Sequence, residues 1–488
     1  MGSEIITIAQ MRAIDAASAA SGVPTRSLME RAGRAVASAI ERRWTPRPVV
    51  VICGPGANGG DGWVAARALR ERGWPVVVEA LTQREALTGD AADAARAWDG
   101  PIAAPGARSP AAPLIVDAMF GAGLSRPLEG EAARLAALMA RTPERVIAVD
   151  VPSGLHGDTA QPLGDACARA ALTVTFVRKK PAHVLMPGRS FCGDVVVADI
   201  GAPDHVIAAQ DVTLFENRPS LWRGAFPWPD AGAHKHARGH AVIASGPHTR
   251  TGAARLAARA ALRVGAGLVT VLSPTSALAE NAAQLTAIML REAASAPSYT
   301  EAAQSADALI IGPAFGVDED RRASLAAALA VEGRCGAVID ADAITLLAPI
   351  QTPLRESDVL TPHVGEFRRA FPDLLERAPT RIEAVREAAQ RAGCIVLLKG
   401  PDTVIAAPSG RAVVNTNGTA FLATAGSGDV LAGLIGGLIA QGVASFEATA
   451  IGAWLHGAAA EALGAGLIAE DLTEILPKVL NRLRASGE

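Results

Sequence analysis

The sequence predicts an α/β fold in two domains, and three observations carry the prediction. Short unbroken apolar runs such as Val49-Val50-Val51-Ile52-Cys53 and Leu114-Ile115-Val116 recur, the pattern of strands buried on both faces of a parallel sheet. Glycine-rich turns follow several of them and segments of helical spacing come next, which is the alternation of βαβ units. The chain is 488 residues long, more than one ordinary core holds.

Composition narrows the function classes. Half of the residues are hydrophobic and only 4% are aromatic, with 46 basic against 49 acidic side chains. Near-neutral charge gives no polyanion-binding surface, so nucleic acid is not an expected partner. Cys53, Cys167, Cys192, Cys335 and Cys394 are scattered, with no C-x-x-C, the usage of a reducing cytoplasm with thiols serving as small core residues. The N-terminus lacks the basic, apolar, small-residue order of a signal peptide. The charge-free run from Val430 to Phe446 is short for a membrane span and contains four glycines, so it reads as a core helix.

Residues 4–43 read as helical, with Ile8, Met11, Ile14 and Ala17 at helical spacing, Pro24 between, and a second helix from Ser27 to Arg43. The strand 48–53 ends in Gly54-Pro55-Gly56-Ala57-Asn58-Gly59-Gly60-Asp61-Gly62, and a helix is expected from Trp63 to Arg72. Strand, glycine loop and helix in that order place a phosphate-bearing ligand at the carboxyl edge of a sheet. A strand at 75–80, a helix at 85–98 and a strand at 114–120 continue the rhythm. Gly121-Ala122-Gly123-Leu124-Ser125-Arg126-Pro127 follows, then a helix and the run Val146-Ile147-Ala148-Val149-Asp150-Val151-Pro152-Ser153-Gly154. Asp117 and Asp150 each lie near the carboxyl end of an apolar strand, where open α/β sheets bind ligands. Lys179 and Lys180 follow the strand 172–177; of two readings, a pair that approaches the site and a solvated pair, the second is the expectation.

These motifs, G-P-G-A-N-G-G-D-G, D-A-M-F-G-A-G-L-S-R-P-L-E-G and A-V-D-V-P-S-G-L, resemble the YjeF N-terminal family over about residues 5–215. The resemblance implies a Rossmann-like domain that interconverts the R and S forms of hydrated NAD(P)H. It implies that Ala57, Asn58, Gly59, Gly60 and Asp61, with Gly121, Ala122, Gly123, Leu124, Ser125, Arg126 and Pro127, hold the hydrate. Asp150 would contact it, and Asn58, Asp117 and Ser153 would hold potassium. Ala57 stands where the family usually has Asn, which removes a side-chain amide. Epimerisation at C6 needs loss and return of a hydroxyl, or ring opening, and an acid/base carboxylate such as Asp150 suits it.

Residues 205–233, with Pro219, Pro227 and Pro229, read as a connector, and a domain boundary is expected near 215–225. Beyond it come a strand at 240–246, a helix at 251–262 and then the run Val264-Gly265-Ala266-Gly267-Leu268-Val269-Thr270-Val271. The motifs I-I-G-P-A-F-G at 310–316, V-I-D-A-D-A at 338–343, L-T-P-H-V-G-E-F at 360–367 and V-L-L-K-G-P-D-T at 396–403 follow. The chain then reaches Gly426-Ser427-Gly428-Asp429 at the head of the apolar run. Free N–H groups and the dipole at such a helix start suit phosphate, and Asp429 beside them suits a base.

In this order the motifs resemble the YjeF C-terminal family, with His236 standing where glycine is common. Residues 225–488 are therefore expected to form a ribokinase-like α/β/α domain that dehydrates S-NAD(P)HX. The resemblance implies that Ala253, Gly316, His363 and Asp429 contact the hydrate, with Asp429 catalytic. Lys399, Gly400, Pro401, Asp402, Thr403 and Gly428 would hold the nucleotide, expected to be ADP with Mg2+. The expected partners are NADHX, NADPHX, ADP and further copies of the chain in a homo-oligomer, with no nucleic acid and no membrane. The competing readings are a small-molecule kinase, since ribokinase-like kinases share the glycine-aspartate end, and a nucleotide-sensing protein. The N-terminal motifs argue against the kinase.

Overall fold

The structure, a computed structural model, describes residues 2–334 and 336–485 and divides into two compact units, Met1–Leu214 and Phe215–Glu488. Cys335 lies outside the described residues; Cys53, Cys167, Cys192 and Cys394 are buried and free.

The first unit is built on β1 (Val49–Cys53), β2 (Val76–Ala80), β3 (Ile102–Ala103), β4 (Leu114–Ala118), β5 (Val146–Val149), β6 (Leu172–Phe176) and β7 (Asp194–Ala198). They form a seven-stranded sheet in the order β3-β2-β1-β4-β5-β6-β7, and every pair is parallel. Alternate residues of β1 enter different cores, Val49, Val51 and Cys53 on one face and Val50 and Ile52 on the other. That two-sided burial is why the strands read as unbroken apolar runs. The order reverses between β1 and β4, and ligands of open α/β sheets bind at the carboxyl side of such a switch.

The helices include α1 (Ile8–Ala20), α2 (Thr25–Arg43), α3 (Ala57–Glu71), α4 (Gly89–Arg96) and α5 (Gly130–Arg141). Two boundaries differ from the sequence expectation. The helix expected at 85–98 is a short 3-10 turn at Arg84–Ala86 followed by α4. More consequentially, α3 starts at Ala57, so most of the expected glycine loop is helix. Close packing explains those glycines. A Cβ on Gly59 would lie 2.0 Å from the Gly54 carbonyl oxygen, and one on Gly62 2.5 Å from Ala118 Cβ. The glycines press the first turn of α3 against β1 and β4, and a helix pays about 1 kcal/mol for each of them relative to alanine.

The second unit contains β8 (Leu214–Glu216), β9 (His240–Ala244), β10 (Leu268–Ser273), β11 (Met289–Glu292), β12 (Ala308–Ile311), β13 (Ala337–Ile339), β14 (Val359–Leu360), β15 (Ile395–Leu398), β16 (Thr403–Ala406) and β17 (Ala412–Asn415). Their order is β11-β10-β9-β12-β13-β14-β15-β16-β17-β8, parallel from β11 to β15 and antiparallel at β15-β16 and β16-β17. Helices flank this mainly parallel sheet in the manner of a ribokinase-like α/β/α domain. The segment read as a connector is partly structural: β8 is the edge strand, and Trp222 is buried with its indole N–H donating to Asn217 Oδ1 at 3.0 Å.

The apolar run after Gly426 is two helices, Ser427–Ala440 and Ser445–Leu463, separated by a turn in which Gly442 has φ +83°. The first is buried along its length from Val430 to Ala440. Its glycines are contact points. A Cβ on Gly433 would lie 2.1 Å from the Ala257 carbonyl oxygen, and one on Gly436 2.4 Å from Ile310 on β12. The helix thus lies tight against both the Gly252–Val264 helix and the sheet. Among the described residues no helix is long and apolar enough to cross a membrane.

Candidate active sites

In the first unit, the carboxyl ends of β1, β4, β5 and β6 open onto a cavity of about 530 Å3. Its wall includes Ala57, Asn58 and Asp61 from the start of α3, Gly121 to Arg126 from the loop after β4, and Asp150 after β5. Gly59 and Gly60 face inward instead, Gly60 against Met29, and Pro127 is not on the wall.

Asp150 occupies the left-handed region at φ 66°, a conformation that costs a non-glycine residue about 1 kcal/mol or more. Its carboxylate is surrounded by donors. Ala122 N–H donates to Oδ2 at 2.9 Å and Thr175 Oγ1 to Oδ1 at 3.0 Å. Lys180 Nζ lies 2.9 Å from Oδ1. Burial alone would raise this carboxyl, but the Lys180 ammonium and the Ala122 N–H outweigh it and bring it down to about 2.

Lys180 corrects the expectation of a solvated pair. It is 2% exposed and also donates to Thr175 Oγ1 at 2.8 Å and to the Phe176 carbonyl at 3.1 Å. Its backbone N–H donates to His183 Nδ1 at 2.9 Å, which leaves Nε2 to donate to the Asp150 carbonyl at 2.8 Å. Burial, then Lys180, push this imidazole down to about 4, so it is neutral. The missed signal was topological: β5 and β6 are neighbours, so residues just past their carboxyl ends meet. Lys179 is half-buried.

Behind the wall, Asp117 at the end of β4 is fully buried. It accepts Ser153 Oγ at 2.6 Å and Ser153 N–H at 2.8 Å. Ser153 Oγ in turn accepts the Phe120 N–H at 3.0 Å. Asn58 Oδ1 faces the adjacent Gly121, where a Cβ would lie 3.1 Å away, and its buried Nδ2 has no partner. No hydrogen bond joins Asn58 to Asp117 or Ser153 among the described residues. Among the described residues this buried carboxyl is bonded to no basic side chain, and its partner Ser153 Oγ also reaches the Phe120 carbonyl at 3.3 Å, an oxygen-rich setting that fits a cation.

In the second unit, a cavity of about 470 Å3 is lined by His363, Lys399, Gly400, Pro401, Thr403 and Gly428, with Leu431 and Ala453 among its apolar residues. Gly400 N–H donates to Thr403 Oγ1 at 3.1 Å, which donates back to the Gly400 carbonyl at 2.9 Å. Asp402 is buried off the wall, 3.5 Å from Arg381 Nη1. Arg381 also donates to the Lys399 carbonyl at 2.8 Å and so underpins this loop. His363 caps the Val364–Ala370 helix, its Nδ1 accepting Gly365 N–H at 2.9 Å.

Asp429 is the third residue of the Ser427–Ala440 helix, whose cap Gly426 has φ 86°. Burial and then Asp340 raise its carboxyl to about 6, with Lys399 opposing. Lys399 Nζ is held 2.8 Å from Asp340 Oδ1, a partner to which the sequence reading gave no role. Ala253 is in the first turn of the Gly252–Val264 helix, whose Leu256 would meet a Cβ on Gly426 at 2.7 Å. Gly316, at φ 102°, donates its N–H to Asp342 at 2.9 Å. Neither Ala253, Gly316 nor Asp429 lines the cavity at Lys399.

Comparison with known proteins finds one family model in each unit. The model of the YjeF-related protein N-terminus matches residues 25–182, and that of the NAD(P)H-hydrate dehydratase matches residues 241–480. A relative from Moorella thermoacetica, named bifunctional NAD(P)H-hydrate repair enzyme Nnr, is 35% identical and covers 99% of this chain and 98% of its own. One of the same name from Escherichia coli is 34% identical over 94% of this chain and 90% of its own. A solved ADP/ATP-dependent NAD(P)H-hydrate dehydratase from Bacillus subtilis is 30% identical, with a TM-score of 0.49, over 55% of this chain and 98% of that one. With full-length likeness of this degree, the chain belongs to the bifunctional NAD(P)H-hydrate repair enzyme family.

Proposed function

We propose that this chain repairs hydrated NADH and NADPH, epimerising the R and S hydrates in its first unit and dehydrating the S form in its second. The observation that supports this best is the presence of two separate carboxylate–lysine centres, Asp150 with Lys180 just past two strand ends, and Asp429 in the first turn of a helix near Lys399. Each suits one of the two chemistries.

In the first unit Ala57, Asn58 and Asp61, with Gly121 to Arg126, would hold the hydrate against α3, with the free N–H groups of the first turn toward its phosphates. Asp150, ionised, would accept the C6 hydroxyl and oppose positive charge developing at the ring nitrogen. Asn58, Asp117 and Ser153 would hold potassium. When bound, that ion would neutralise the buried Asp117 and fix the loop at Gly121.

In the second unit Lys399, Gly400, Pro401, Thr403 and Gly428 would hold the nucleotide, with ADP as donor and Mg2+ arriving on its phosphates. Ala253, Gly316 and His363 would contact the hydrate. Asp429 would take the C6 hydroxyl proton as that oxygen attacks the terminal phosphoryl group, breaking its bond to AMP. The phosphate then leaves C6 with its bonding electrons, the ring nitrogen supplies the push, and loss of a C5 proton restores the reduced nicotinamide. We assign the work to the cytoplasm, in keeping with the four free, buried cysteines.

The test is the return of reduced-nicotinamide absorbance from a mixture of both NADHX epimers, with ADP, with ATP and with neither, in potassium buffer. Full recovery with ADP is expected. Recovery that stops at one epimer's share would refute the epimerase half. A stable phosphorylated product would replace the dehydratase with a kinase.

A further inference from the structure

Loss and return of a hydroxyl at C6 requires a group that gives a proton and takes it back. Asp150 is badly suited to that task, because its donors, Lys180, Ala122 and Thr175, all favour the ionised form. The proton must come from another wall of the cavity.

That wall is α1, which belongs to none of the motifs. Ile8, Met11, Arg12 and Asp15 all line the cavity, and their spacing of three, four and seven residues is a single stripe along one helix face. The helix is anchored at the edge of the site. Thr7 caps it in a reciprocal box with Gln10, and Ile8 N–H donates to Asp158 Oδ1 at 2.8 Å. Ile14, fully buried and about 100° around the helix from Asp15, packs into the core of the first unit. The one titratable acid on the stripe is Asp15, half-buried and carrying no side-chain hydrogen bond among the described residues.

We propose that Asp15 is the proton carrier of the epimerase site. Its carboxyl gives a proton to the C6 oxygen, the C–O bond breaks, and water leaves as the ring nitrogen's lone pair forms a C=N bond. Water returns to the other face of C6, its oxygen bonding the carbon while its surplus proton goes back to the Asp15 carboxylate. Nothing is consumed. Asp150 stays ionised throughout and opposes the transient cation.

The charged groups around Asp15 are Arg12, Asp61, Asp150 and Lys180. Burial raises Asp15 to about 6, with Lys180 opposing and Asp150 adding to the rise. A proton held near working pH is exchanged most readily, and opposed shifts on neighbouring carboxyls mark an acid and its ionised partner. Burial, Asp150 and Asp15 drive Asp61 well above its ordinary value.

This inference rests on the epimerase reading, and the experiment separates the two. Epimer interconversion by the full chain, without nucleotide and in potassium buffer, is followed across pH by NMR, with the spontaneous rate subtracted. The wild-type rate should fall as pH rises through about 6, where Asp15 loses its proton. Asp15→Asn should lose about 100-fold or more of the rate, the scale of general acid–base catalysis, together with that pH limb. Asp15→Glu should recover part of the rate with a limb of its own, and it decides the matter if the Asn variant does not fold. An Asn variant with the wild-type rate, a slowed Asn variant that keeps the wild-type limb, or a Glu variant that keeps both the wild-type rate and the wild-type limb would overturn the proposal. Wild-type protein that interconverts nothing would overturn the epimerase reading and Asp15's role with it.

Discussion

Lys180 Nζ lies 2.9 Å from Asp150 Oδ1, although the two residues follow different strands. The lysine is 2% exposed and the aspartate's side chain 17%, so solvent screens the pair little. The pair favours the ionised form of the Asp150 carboxyl.

Lys180→Met should therefore act on charge as well as packing. Breaking a buried pair costs about 3–5 kcal/mol, to be read from urea unfolding of the first unit. Because Asp150 is depressed to about 2, its contribution is full above the ordinary aspartate value of ~3.9. It is lost as pH falls through about 2, so the gap between wild type and variant should narrow in acid. Epimerisation should fall at neutral pH while dehydration of the S hydrate continues.

Dehydration should show the opposite pH limb from epimerisation. Asp429 is raised to about 6, first by burial and then by Asp340, and a base works only when deprotonated. Single-turnover dehydration should climb as pH rises through about 6 and level off above it. Asp429→Asn should abolish dehydration and leave epimer interconversion at the wild-type rate; retained dehydration would remove Asp429 from the mechanism.

Potassium should stabilise the first unit. A ligand that binds only the folded state adds RT ln(1 + [L]/Kd), about 2.7 kcal/mol at a hundredfold excess over Kd. Calorimetry in potassium against tetramethylammonium should show a higher Tm in potassium, rising with its concentration. Asp117→Asn should remove the dependence. A Tm indifferent to the ion would dismiss this site.

Gly59→Ala tests the start of α3. The new Cβ would lie 2.0 Å from the Gly54 carbonyl oxygen, a backbone atom that cannot swing aside. A loss of about 1–3 kcal/mol is expected for such overpacking, measured by urea unfolding, with epimerisation lost and dehydration kept.

Periodicity made much of this legible. The apolar runs gave the strands, because strands buried on both faces leave no alternation to hide them. The glycines at 54–62 and 426–428 stand beside the two cavities, and Gly54, Gly59 and Gly426 leave no room for a Cβ. Helix starts were less readable: Gly59, Gly60 and Gly62 looked like loop residues, yet their role is close helix packing, which propensity does not encode.

Local chemistry, then, was determined by the sequence alone: which strands exist, which glycine turns end them, and which carboxylates stand at those ends. The tertiary structure decided what those groups meet. Asp150 finds Lys180, Lys399 finds Asp340, and the stripe of α1 carrying Asp15 closes the epimerase cavity. The physical reason is that charge and burial depend on neighbours distant along the chain. A lysine following a strand reads as solvated until the adjacent strand brings a carboxylate to within 2.9 Å of it.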